Sequence, residues 1–97
     1  MIYLISYKPQ PFAFSLDLFS SADAVSRTLE AYPGWCKCFD TAWLIATTED
    51  ITTVSTKLSN VFGKKDIWVI AAVSEQICGS LSTEAWDWLK ETRGNGF

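Results

Sequence analysis

Apolar and polar positions alternate through the first residues of the chain, yet both alternating sets are mostly apolar. Ile2 and Leu4 share one side with Ser6, while Tyr3, Ile5 and Tyr7 share the other. A strand that is apolar on both sides belongs inside a sheet whose two faces are covered. Pro9 and Pro11 then halt any ladder, because neither has an N–H to donate. Over 12–19, Phe12, Phe14, Leu16 and Leu18 alternate with Ala13, Ser15 and Asp17. That pattern fits a short edge strand or an apolar loop packed on the core. Beyond it the period lengthens. Val25, Leu29 and Tyr32, with Ala22 before them, form the stripe of an amphipathic helix. Ser20, Ser21 and Asp23 supply its capping hydroxyl and first-turn acid, and Pro33-Gly34 ends it.

Two β-rich runs, 35–39 and 42–47, flank Asp40-Thr41, the spacing of a tight hairpin. Thr48-Glu49-Asp50 opens a second helix. Its Ile51, Val54, Leu58, Val61 and Phe62 fall on one side, opposite Thr52, Thr53, Ser55, Lys57 and Ser59, and Gly63 closes it. The unbroken run within 66–73 predicts a second interior strand. A last helix starts from Ser82 and runs through Glu91, with Trp86 and Leu89 one turn apart and Ala85 and Trp88 beside them. Residues 93–97 are expected to fray. The order predicts one α+β domain over 1–97, of the ferredoxin-like βαββαβ class. It would have a four-stranded antiparallel sheet, two helices on one face and an extra C-terminal helix.

Composition narrows the class. Hydrophobic residues make up 48% and charged residues 20%, which excludes a disordered tail. The longest apolar run, 67–73, falls far short of the ~20 residues of a membrane span. The first residues enter a strand pattern with no basic lead-in, so no signal peptide and no membrane partner are expected. Eight basic residues against eleven acidic ones leave a net charge of −3. This argues against gripping nucleic acid with the whole surface, since phosphate neutralisation supplies most of such affinity, but leaves room for a small local patch. Cys36, Cys38 and Cys78 are an odd number and read as free thiols in a reducing, cytoplasmic setting. Histidine is absent altogether. That removes histidine general bases, Ser-His and Cys-His nucleophile pairs and histidine-ligated metals.

Two helices on one face leave the other sheet face to be explained. The strands carry Tyr3, Tyr7, Trp35, Trp43 and Trp68, and alternation alone does not say which point away from the helices. Three readings stand: core residues with the C-terminal helix covering the rest through Trp86 and Trp88, a face packed on a second copy, or a platform for stacked bases. The acidic balance and the lack of interleaved Arg or Lys disfavour the third. Cys36-Lys37-Cys38 places two thiols on one side of a strand, half of a zinc site, so buried thiols and no metal are expected. Asp40 suits a turn, Glu49 and Asp50 suit a helix N-terminus, and Lys64-Lys65 suit a helix C-terminus. No phosphate-binding loop or nucleophile elbow occurs, so no cofactor and no catalytic residue are assigned.

The opening Ile2-Tyr3-Leu4-Ile5-Ser6-Tyr7, the stretch from Trp35 through Asp40-Thr41-Ala42-Trp43-Leu44-Ile45, and Ala85-Trp86-Asp87-Trp88-Leu89-Lys90 resemble the SinR family of small bacterial and phage proteins. These are similar to the small CRISPR adaptation subunit and to VapD-type toxins. The resemblance covers most of the chain except 12–19, which is longer than usual. It implies a ferredoxin-like protomer that pairs into a homodimer. In the nuclease relatives an aspartate follows the tyrosine closing the first strand, and here that position is Lys8. A lysine cannot hold a hard divalent cation and would repel one. The primary expectation is therefore a non-catalytic homodimeric interaction or scaffold protein. The alternative is a nucleic-acid-acting protein, either a diverged ribonuclease or an RNA or DNA binder, and a small-ligand sensor is a third.

Overall fold

The computed structural model describes residues 1–8, 21–63 and 66–97. The expectations for Pro9, Pro11, 12–19, Ser20 and Lys64-Lys65 lie outside the described residues. Along the chain run β1 (Ile2–Tyr7), α1 (Ser21–Glu30), β2 (Gly34–Phe39), β3 (Ala42–Ala46), α2 (Ile51–Ser59), β4 (Trp68–Ala72) and α3 (Thr83–Gly94). The four strands form one antiparallel sheet in the order β2-β3-β1-β4. Among the described residues the fold is thus mixed α+β, with a four-stranded antiparallel sheet and three helices.

β1 lies between β3 and β4, as its two-sided apolar pattern requires. The other interior strand is β3, whose five residues are all buried. The run 66–73, expected to be interior, instead puts its strand at the sheet margin. A continuous apolar run does not distinguish two covered faces from one covered face and one bare one.

Each sheet face has its own core. On the first, Tyr3 and Ile5 of β1 and Trp43 and Ile45 of β3 meet Val25, Leu29 and Tyr32 from α1 and its exit, and Val54, Leu58 and Phe62 from α2 and its exit. On the second, Ile2, Leu44 and Ala46 meet Leu89 of α3, with Leu4, Cys36, Cys38, Trp86 and Trp88 packed around them. Gly34 makes that docking close. A Cβ there would stand 3.1 Å from the Ala46 Cβ, a tight contact with β3, and 3.5 Å from Cζ2 of Trp88, an ordinary one.

The caps follow the sequence. The Asp50 carboxylate accepts from the Thr53 N–H at 2.8 Å, and the Ser82 hydroxyl accepts from the Ala85 N–H at 3.2 Å. α2 closes at Asn60, earlier than Gly63, and the chain then turns so that Phe62 can reach the core. The C-terminal residues do not fray as expected. α3 continues to Gly94, and Phe97 folds back to pack against the second core, its N–H donating to the Thr92 carbonyl.

Candidate functional site

The structure separates the five strand aromatics proposed as a partner face. By register Tyr3 pairs with Ile45, and Ile45 pairs with Trp35. Likewise Ile5 pairs with Trp43, and Tyr7 with Trp68. Tyr3, Tyr7, Trp43 and Trp68 belong to the core under α1 and α2, so the expectation of an aromatic bare face is corrected for them. Tyr3 and Trp43 are fully buried, and the Tyr3 hydroxyl donates to the Glu49 carbonyl at 2.9 Å. Tyr7 donates to the Asp40 carbonyl and pins the hairpin. Trp68 stacks on Phe62 with ring centres 5.0 Å apart. Trp35 alone among them stays open, at 41% exposure, resting on the Trp43 ring. The physical reason is that bulky side chains fill the deep space beneath two helices, which alternation cannot foresee.

Lys8 is exposed just past β1, and its backbone N–H donates to the Ile67 carbonyl at 2.9 Å. Among the described residues no group of three acid or thiol side chains is positioned to hold a metal. Cys36 and Cys38 lie half-buried on the α3 side of β2. Burial pushes the Cys38 thiol up to about 11, reinforced by the neighbouring Cys36, and burial raises Cys36 as well. Both therefore stay protonated and poorly nucleophilic at neutral pH, whereas Cys78 is exposed.

The two sheet margins differ. β2 alternates exposed Trp35, Lys37 and Phe39 with half-buried Cys36 and Cys38. The Lys37 ammonium lies over the Trp43 ring at 5.7 Å, a cation–π contact on the margin itself. β4 carries no charge from Ile67 to Val73. On its helix-covered side Trp68 and Ile70 pack against the first core. On its other side Val69 and Ala71 are exposed, and Ile67 beside them is 65% exposed. α3 packs mainly over the β2 half of that face.

A separate cleft of about 520 Å³ opens where the exit of α1 meets the β3–α2 turn. Thr28, Ala31, Tyr32 and Pro33 line one side, and Thr47, Thr48, Glu49 and Lys57 the other. Its turn is held rigidly. The Thr47 N–H donates to the Met1 carbonyl, the Thr47 hydroxyl accepts from the Glu49 N–H, and Tyr3 holds the Glu49 carbonyl. Lys57 donates to Glu49 Oε2, and its ammonium lies 5.7 Å from the centre of the Tyr32 ring. That ion pair holds Glu49 below the usual carboxylate range. Burial, then a hydrogen bond to Glu49 and the Glu49 charge, push Tyr32 up to about 12. Sequence reasoning assigned Tyr32 to the core and Glu49 to a helix start, and saw Lys57 only as a polar-face residue. Nothing in their spacing signals that they converge. No family model, curated protein or solved structure matches the chain.

Proposed function

We propose that this chain is a non-catalytic interaction protein that works as a homodimer, two ferredoxin-like protomers joined across β4. The β2-β3-β1-β4 order, with α1 and α2 packed together on one face, supports the ferredoxin-like reading of the protomer. The observation that carries the pairing is the charge-free margin of β4, with Ile67 and Val69 exposed. The Val73 N–H donates to the Ile2 carbonyl and the Lys8 N–H to the Ile67 carbonyl. In an antiparallel ladder this turns the backbone of Ile67, Val69, Ala71 and Val73 toward β1, and that of Trp68, Ile70 and Ala72 outward. A two-fold axis at Ile70 then pairs outward groups with outward groups. It also joins the two exposed Val69–Ala71 strips into one apolar patch. Natural edges are normally blunted by a charge, and β2 has Lys37 where β4 has none. The resemblance to SinR-family proteins points the same way.

Light scattering at micromolar concentration tests this reading, and a strict monomer would sink it. A second reading, binding of single-stranded nucleic acid, is favoured by the Trp35-Lys37-Phe39 stripe, which interleaves a cation with two aromatics. Incubation with labelled RNA, with and without magnesium, decides it. Absence of both cleavage and salt-sensitive binding retires that reading.

A further inference from the structure

Cys36 and Cys38 stand one residue apart on β2, at the sheet margin opposite β4, and both pack on the α3 side of the strand. The register slips between Lys37 and Phe39. Lys37 pairs with Trp43 and Phe39 with Ala42, which leaves Cys38 as the extra residue of a β-bulge. Bulges re-aim the side chain they carry. Here the Cys38 sulfur lies 3.9 Å from the Cys36 carbonyl oxygen, and the two thiols are within hydrogen-bond reach of each other. Both are half-buried, so packing holds them while solvent still reaches them. Lys37 between them projects to the other side, with its ammonium over the Trp43 ring, and keeps its charge away from the thiols.

Geometry separates the uses of such a pair. Two steps along a strand place Cα atoms roughly 6.5 Å apart, at the long end of what a disulfide spans. Structural zinc takes four ligands, and among the described residues no third acid or thiol side chain joins these two to form a metal-holding group. A soft ion with a filled d shell is different, because monovalent copper is satisfied by two thiolates in a near-linear arrangement. Two metal–sulfur bonds of about 2.3 Å span roughly 4.6 Å, so sulfurs already in hydrogen-bond reach need to part only slightly to admit the ion. Thiolate is also the donor type that selects it. Glu84, in the first turn of α3, acts electrostatically on Cys36, and its negative potential draws a cation toward the site.

We infer that Cys36 and Cys38 form a two-coordinate thiolate site for a soft monovalent cation, copper(I), where β2 meets α3. Binding one ion displaces both thiol protons to solvent and leaves a complex of one net negative charge, with no change of oxidation state. Water screens that charge, since neither sulfur is fully buried. Burial favours the protonated thiols, so only a strongly thiophilic ion displaces those protons.

The test is anaerobic competition for copper(I) between the full chain, kept reduced by a non-thiol reductant, and glutathione at equal thiol concentration. A chromogenic copper(I) chelator reports the free ion. The expected result is one copper per chain, held roughly a hundredfold more tightly than by Cys36→Ser or Cys38→Ser, because the second thiolate binds intramolecularly. Cys78→Ser should bind as the wild type does. X-ray absorption of the copper-loaded wild type should show two sulfur neighbours, a readout that needs no variant to fold. The inference is overturned if glutathione strips the copper completely, or if Cys36→Ser or Cys38→Ser keeps wild-type affinity. Loss of binding in Cys78→Ser, three or more sulfurs around the ion, half an ion per chain, or zinc held as tightly as copper would each overturn it too. The site lies at the margin away from β4, so failure here leaves the β4 pairing standing.

Discussion

Replacing Val69 with lysine asks directly whether β4 is the joining edge. Val69 is 59% exposed and its side chain stands on the open face, so the substitution removes no core contact within the protomer. Substitutions at such positions change protomer stability by about 0.5 kcal/mol or less. In the dimer the effect is larger. Full burial of a valine is worth about 1.5–3 kcal/mol, and the exposed fraction leaves roughly 1–2 kcal/mol of that to be gained on pairing. Two-fold symmetry counts it twice. The axis at Ile70 also brings the two new ammonium groups to diagonal positions about 7 Å apart, adding about 0.6 kcal/mol of repulsion in a water-like dielectric. The sum is about 3 kcal/mol, or roughly a hundredfold weaker association. Sedimentation equilibrium over about 1–100 µM reads this as a shift from dimer to monomer across the range where the wild type pairs. Trp35→Ala, on the opposite margin, should leave the mass unchanged. The reasoning fails if Val69→Lys sediments like the wild type, or if Trp35→Ala is the variant that dissociates.

Other consequences follow from the cores and the titrating groups. Ile5 is completely buried between β3 and β4, and Ile5→Ala should lower unfolding stability by about 2–5 kcal/mol in urea denaturation. An unchanged midpoint would contradict the first core. Tyr32, raised to about 12, favours the folded state in its neutral form, so its contribution is intact below the ordinary tyrosine value near 10 and is lost as pH rises from there toward 12. Phenolate absorbance should accordingly show one tyrosine titrating last, and complete ionisation by about pH 11 would refute its burial. Glu49, lowered mainly by Lys57, works in the opposite sense: its contribution is present above the ordinary carboxylate range and fades as pH falls through its lowered value. Cys78 should react with a thiol-specific disulfide reagent well before Cys36 and Cys38, because it is exposed while burial keeps the other two protonated. Equal rates for all three would mean that α3 does not cover β2.

Much of this protein was legible without coordinates because periodicity is a local property. The stripe of Val25, Leu29 and Tyr32, the Asp50 and Ser82 caps and the Asp40-Thr41 turn each reside within a few neighbouring residues, and each appears where its pattern put it. The α+β class followed from their order. The opposite fates of β3 and β4 were not legible: both are short apolar runs, and only the pairing of partners distant in sequence made one interior and the other marginal. The aromatics show the same limit. Trp43 and Trp35 differ in exposure because one lies beneath the helices and the other beyond them, a consequence of register with β1 and not of residue type.

Composition and spacing alone therefore determined the existence and order of the elements and the absence of histidine chemistry. Tertiary structure alone decided which face of each strand is covered, which margin is bare, and that Tyr32, Glu49 and Lys57 share a cleft. The physical reason is one of range. Hydrogen-bonded turns and helical stripes are set by residues a few positions apart. Burial and convergent polar groups depend on contacts between segments that meet only once the sheet has closed.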